Sequence, residues 1–432
     1  MTPQSTFMVL APIAPGRVEE LRALLGSMNG RPGTADPGNR LVPFGRFDRL
    51  HFARFVVLEA PAGDDAAAYG IPRSPWPASL AFLGDCDGPA DTMLAELARG
   101  AGEGLRHIFG HCDVPPGADL QLWMARRLRP SAATYVNRIG RTMRQIREEH
   151  ALHRALVDHL GGEGAAAGGE RPSALRDRLV AFVAAERAAG RLTLTAPAGA
   201  PVAWRVRNSL SLVGLPVALA ALGPLLIVAS PALAFRLRSL EVRDPVIDYR
   251  ADPSRVGELS ALEDHDVTNQ FTIFGQVKPG RFRRTTLSAL LRALDYSMRH
   301  VYNRGHLARV QSIHAARWVF LDDKRRLFFA SNYDGSVESY MDDFINKVAW
   351  GINLVFSNGM SYPPTDYLVR RGARDEQRYK RTLRRHQVPT EVWYNAHPGL
   401  TVVDLERNGC IREGVERPGM TDAEAREWLS LL

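Results

Sequence analysis

The sequence predicts an α+β protein made of two ferredoxin-like halves that pair into an α+β barrel, with a helical, membrane-interacting insert between them. Three observations lead there. The phrase HFARFVVL at 51–58 returns as HAARWVFL at 314–321. Three further blocks repeat around it in the same order. A run of 28 residues without a charged side chain, 208–235, lies between the two copies.

The blocks define the elements in turn. FMVLAPIAPGR at 7–17 parallels FTIFGQVKPGR at 271–281, each reading as a strand stopped by Pro-Gly. LRALLGSM at 21–28 parallels LRALDYSM at 291–298, with six of eight letters identical and leucines at helical spacing. In HFARFVVL, alternation sets His51, Ala53, Phe55 and Val57 on one face and Phe52, Arg54, Val56 and Leu58 on the other. A strand apolar on both faces is covered on both. LAFLGDCDG at 80–88 and LFFASNYDG at 327–335 then end alike in Asp-Gly, and 334–356 reads as a long amphipathic helix. Four blocks in one order are an internal duplication. Strand, helix, strand, strand, helix, with a further strand, is the order of a ferredoxin-like half, and two such halves enclose a pocket between sheet and helices. The expected segments are 1–129 and 236–365 for the halves, 130–207 for a helical linker, 208–235 for the apolar insert and 366–432 for a basic extension.

The linker reads as a basic amphipathic helix over 130–160, a flexible GGEGAAAGG and a second helix over 173–190. The insert is long enough to cross a bilayer. One crossing would place the homologous halves on opposite sides, however, and arginines stand at both ends (Arg205 and Arg207, Arg236 and Arg238). With Pro216, Gly223-Pro224 and Pro231 as break points, a hairpin dipping into one leaflet is expected. A buried helical hairpin and a single crossing are the alternatives.

Composition narrows the class. The net charge of +8 is concentrated in 370–386, where eight Arg/Lys meet two acids. Such a run is a solvated helix or a surface for phosphates, and without interleaved aromatics no nucleic-acid partner is expected. Three cysteines without a CxxC pair argue against disulfides and cysteine-zinc sites. The N-terminal residues lack a secretory pattern, so the soluble parts are expected in the cytoplasm. No GxxxxGK[ST], HExxH or GxSxG occurs, and EDHD at 263–266 reads as a polar loop rather than a metal site.

The repeated arginines and aspartates are the candidate chemistry. Paired one strand apart as Arg54–Asp87 and Arg317–Asp334, they would be twin buried salt bridges, with the aspartates also capping the helices that follow; otherwise they face the pocket. GDCDG at 84–88 resembles the GxxDG motif of dye-decolorizing peroxidases, haem enzymes of two ferredoxin-like halves. That resemblance implies Asp87 as a distal acid–base group, Arg54 as its charge partner and a histidine ligating haem iron, His314 first, then His111 and His300. The second half departs from the motif with SNYDG, and the insert is foreign to the family. HAARWVFLDD, LFFASNYDGS and VWYNAHPGLTVVDL are also similar to phrases of an uncharacterised bacterial family. Two function classes stand open. One is a membrane-associated haem peroxidase- or oxygenase-like oxidoreductase acting on a hydrophobic small molecule. The other is a non-catalytic protein that binds a lipid or hydrophobic ligand, or acts as a scaffold.

Overall fold

The computed structural model describes residues 2–60, 65–72, 75–162, 170–249, 252–303 and 305–432. The N-terminal half runs β1 (Gln4–Pro12), α1 (Val18–Gly26), two short strands β2 (Asn29–Arg31) and β3 (Thr34–Ala35), β4 (Leu50–Leu58), a one-turn α2 (Asp65–Ala68), β5 (Ser79–Asp87), α3 (Ala90–Gly100), α4 (Gly102–Phe109), α5 (Leu120–Arg126) and β6 (Ala133–Val136). Three helices follow: α6 (Met143–Gly162), α7 (Pro172–Ala188) and the very long α8 (Val202–Arg243). After α9 (Pro253–Ser260), the C-terminal half runs β7 (Thr268–Gln276), α10 (Arg281–His300), β8 (Ile313–Leu321), β9 (Arg326–Asp334) and α11 (Val337–Phe356). A small hairpin, β10 (Thr365–Asp366) and β11 (Arg370–Arg371), leads to α12 (Glu376–His386), β12 (Val392–Asn395), α13 (Val402–Glu416) and α14 (Asp422–Leu429).

The repeat is visible in the pairing. β1 meets β5 with Gln4 opposite Asp87, and β7 meets β9 with Thr268 opposite Asp334. The fourth strand of each half, by contrast, crosses over. The first sheet is ordered β1-β5-β4-β12-β3-β2 and the second β6-β8-β9-β7. β6 therefore leaves the N-terminal half to pair with β8, while β12 arrives from the C-terminal segment to pair with β4. The expected boundaries at 129 and 365 cut each half off from this strand. The 130–160 segment accordingly opens with β6, not with helix.

Among the described residues no sheet closes on itself, so the expected barrel is not formed. The two sheets stack face to face instead. Met8, Val56, Leu58 and Leu83 of the first meet Phe274, Val319, Phe328 and Ala330 of the second in a dry layer. The other face of β4, with Ala53, Phe55 and Val57, packs under α1, α3 and α4. Both faces of the repeated strand are thus buried, as its two-sided apolar pattern requires. α6, α7, α13 and α14 form a further helical layer around Leu152, Leu179, Ile411 and Trp428, which unites the linker with the C-terminal extension. Most of the Gly-Ala-rich run, residues 163–169, lies outside the described residues.

The insert differs from the expected hairpin of two helices. It is one helix, with Pro216, Pro224 and Pro231 inside it, and none of its most apolar stretch is buried. Both its ends are held by the same half. Leu212 O accepts from Tyr296 Oη at 3.1 Å, while Asp244 takes Lys278 at 2.8 Å and Arg283 at 2.6 Å. Leu212 and Asp244 lie roughly 48 Å apart along α8 at 1.5 Å per residue, whereas Tyr296 and Arg283 stand roughly 20 Å apart along α10. Each of the three prolines inside α8 removes a helical hydrogen bond, so these are the places where the helix can bend. Both anchors of α8 thus rest on the C-terminal half.

Since the apolar stretch of α8 buries nothing, replacing 213–234 with a polar helix-forming sequence should leave the melting temperature of the rest unchanged to within about 3 °C. A collapse of thermal stability would show that the stretch is packed after all.

Candidate functional site

The repeated histidine sits on a β-bulge in both halves. Leu50 pairs with Cys86 and Phe52 with Asp85, leaving His51 as the extra residue of β4. Ile313 pairs with Tyr333 and Ala315 with Asn332, leaving His314 as the extra residue of β8. A bulge re-aims a side chain. Each imidazole thereby reaches the aspartate that ends the neighbouring strand: His51 Nε2 donates to Asp87 at 2.9 Å and His314 Nε2 to Asp334 at 2.7 Å. The second oxygen of each aspartate accepts a backbone N–H at a helix start, Met143 of α6 at 2.9 Å and Val402 of α13 at 2.7 Å. These helices follow the exchanged strands directly, so each His–Asp pair latches a crossover. The aspartates do cap helices, but not the ones expected.

Between the latches lies a narrow cleft lined by His51, Phe52, His314, His397, Arg138 and Arg141, among others. His397 stands 5.4 Å from His314 and 6.5 Å from His51, ring centre to ring centre. It is buried, and among the described residues its Nδ1 has no hydrogen-bond partner. Burial, then the neighbouring His314 and His51, hold its imidazole well below the ordinary range, so it is neutral at neutral pH. Arg141 pairs with Glu149 and Glu406, and burial lowers its guanidinium as well.

The repeated arginines make neither of the expected pairs. Each crosses the stacked sheets. Arg317 donates to Phe7 O at 2.8 Å, Gly84 O at 3.2 Å and the Asp85 carboxylate at 2.5 Å. Arg54 donates to Phe271 O at 3.3 Å, Ser331 O at 3.0 Å and the Asn332 side chain. Phe7, Gly84 and Asp85 occupy the repeat positions of Phe271, Ser331 and Asn332, so one bonding pattern is written twice. It is complete once: the carboxylate of the first half is an amide in the second. Burial, and then Arg317, pull the Arg54 guanidinium down to about 9, still charged at neutral pH. In the space occupied by Gly84, a Cβ would stand 2.6 Å from the Phe7 ring, so the GDCDG glycine serves packing.

These positions do not fit a haem. Arg54 and Asp87 share no cavity, since Arg54 lies in the dry layer and Asp87 is occupied by His51 and the start of α6. His314 is bound through Nε2 to Asp334. His111 lies apart, with Nδ1 near the backbone oxygens of His107 and Ile108 and Nε2 3.8 Å from Glu20; His300 meets Ser211 of α8 at 3.2 Å. Among the described residues no group of three or more His, Cys, Asp or Glu is arranged to hold a metal ion. EDHD is a bonded loop, with Glu263 on Arg384 and Asp266 on the Gly399 amide.

A second cavity is larger and apolar. It lies between the outer face of the second sheet and α10 and α11, lined by Phe271, Met298, Trp318, Phe344, Trp350 and Phe356 among others. α11 breaks from helical geometry at Val348, one of the residues on its wall. No histidine, acid or base lines it.

Sequence reasoning missed His397 and Asp85. Tyr135, Gly140 and Thr142 match Tyr394, Gly399 and Thr401 in spacing, a fifth repeat block that would have placed His397 opposite Arg138, in the loop between β12 and α13.

Two outcomes follow from this geometry. Asp85→Ala should cost about 3–5 kcal/mol in chemical denaturation, because it strands the buried Arg317 guanidinium, while Asp85→Leu with Arg317→Met should cost clearly less. His397 binds fewer protons folded than unfolded, so it contributes stability that is present above the unfolded imidazole value near 6.5 and lost as pH falls below it. Denaturation of His397→Asn at pH 7 and pH 5 should therefore show a smaller acid loss than the parent protein.

Compared with protein-family models, with curated proteins and with solved structures, the chain finds no match in any of the three. The functional reading therefore rests on the two cavities and the exposed helix.

Proposed function

We propose that this protein binds an apolar small molecule in the cavity beneath α10 and α11, and does so while seated on a membrane by α8. The observation that carries the reading is that one helix serves both features. Leu294 and Met298 of α10 line the cavity, while Tyr296 and His300 of the same helix hold α8. A ligand arriving from the acyl region would find an apolar wall next to the helix that reaches it. Arginines at both ends of α8 favour a body on the cytoplasmic face. The repeated topology supports descent from one ferredoxin-like unit.

Binding, not turnover, is the reading the cavity favours. Its polar groups include the hydroxyls of Tyr340 and Tyr379, and burial pushes both well above the ordinary phenol range, out of reach of acid–base work at neutral pH.

The test uses the intact, delipidated protein and a fluorescent apolar probe such as N-phenyl-1-naphthylamine. Quenching of Trp318 and Trp350 should accompany saturable uptake. Gly351, on the cavity wall, has open space where a Cβ would stand, so Gly351→Trp should fold normally and weaken uptake more than about tenfold by occlusion. Uptake unchanged in Gly351→Trp, or absent in the parent, would sink the reading.

A further inference from the structure

We infer that the β10–β11 hairpin and the C-terminal end of α8 form one surface that recognises anionic lipid headgroups. The inference rests on the membrane seating proposed above and adds what selects the membrane.

The hairpin is bound to α8 through a buried acid. Glu241 accepts from Thr365 Oγ1 at 2.9 Å, from the Tyr367 amide at 2.7 Å and from the Leu368 amide at 2.8 Å. Arg238 adds a 2.6 Å contact to Asp366. The tip is strained: Tyr367 and Leu368 both hold positive φ, 55° and 57°, where residues with side chains are uncommon. Such strain persists only where the surroundings over-determine it, and Glu241 does so here.

What this fastening displays is specific. Leu368 is buried, but its neighbours Tyr367 and Val369 are turned outward at 53% and 41% exposure. Arg370 and Arg371 follow them, both exposed. On α8 the change from apolar to charged falls beside them: Leu233 and Phe235 are exposed, and Arg236 begins the basic end. Exposed apolar helix, then an aromatic, then arginines, is the order in which a bilayer passes from acyl chains to headgroups. The acids close by are spoken for. Glu241 is buried in the latch, and Asp366 holds Arg238 with Arg371 at 3.9 Å. The surface therefore presents net positive charge at headgroup level, which a phosphate-bearing anionic lipid complements.

The experiment is vesicle co-sedimentation of the full chain exchanged from detergent. Phosphatidylcholine vesicles, alone and mixed with phosphatidylglycerol, are compared, with inorganic phosphate as competitor. Binding to both, stronger on the anionic vesicles, is expected. Arg370→Gln with Arg371→Gln should lower the anionic partition by roughly 30-fold and leave the neutral one unchanged. The distant pair Arg99→Gln and Arg126→Gln is the charge control and should behave as the parent. Equal loss in the control pair, or equal binding to both vesicle types, overturns headgroup recognition while leaving the membrane seating intact. Displacement by phosphate at millimolar concentration would assign the site to a free anion. No binding to either vesicle, with a discrete detergent-free oligomer in its place, overturns the seating as well and marks α8 as a contact between copies.

Discussion

Everything in this architecture depends on two arginines that reach across a dry interface in opposite directions. Arg54 leaves the first sheet to bind the backbone of the second, and Arg317 returns the gesture. A guanidinium buried between apolar faces must satisfy five N–H donors in a fixed fork, and few arrangements of two sheets offer that many acceptors. The pair thus sets the relative position of the sheets more sharply than the aliphatic layer around it, which is non-directional. The cost falls unevenly. The one carboxylate bonds Arg317 and reaches Arg54 only through its field, and Asn332 supplies to Arg54 only a dipole while also accepting from Trp393 Nε1 at 3.1 Å.

The halves have diverged in packing as well as charge. The outer face of the first sheet is closed by Phe44, Phe82, Phe109 and Trp123 among others. The corresponding face of the second carries long aromatic side chains too, yet α11 breaks at Val348 and leaves a cavity between them. A duplicated fold can give up density in one copy because the other retains it. The C-terminal half spends that freedom on an apolar cavity.

The duplication, the elements of each half and the two buried faces of β4 were legible in the sequence, because each is written as periodicity or as repetition. Pairing across space was not. Arg54 and Asp87 lie one strand apart in a flat topology, but Arg54 shares its face with Val56 and Leu58, and that face looks at the other sheet. The bulge at His51 also breaks the two-residue alternation, so counting along the strand misassigns the histidine. The exchange of β6 and β12 left no local trace, since a four-residue strand reads the same whichever sheet it joins. The insert was recognisable as apolar and too long to ignore; its prolines suggested a turn between two helices, where the chain forms one.

The exchange of strands has a consequence for how the molecule is made. On a ribosome, β4 emerges with an open edge whose partner, β12, is encoded more than three hundred residues later. At bacterial-to-eukaryotic elongation rates of about 5–20 residues per second, that edge waits on the order of half a minute. During the wait α8, apolar on all sides, also leaves the exit tunnel. The second sheet has all its strands once β9 has emerged, but the first waits for β12, so the nascent chain is a client for whatever shields an open edge and an apolar helix in the interval.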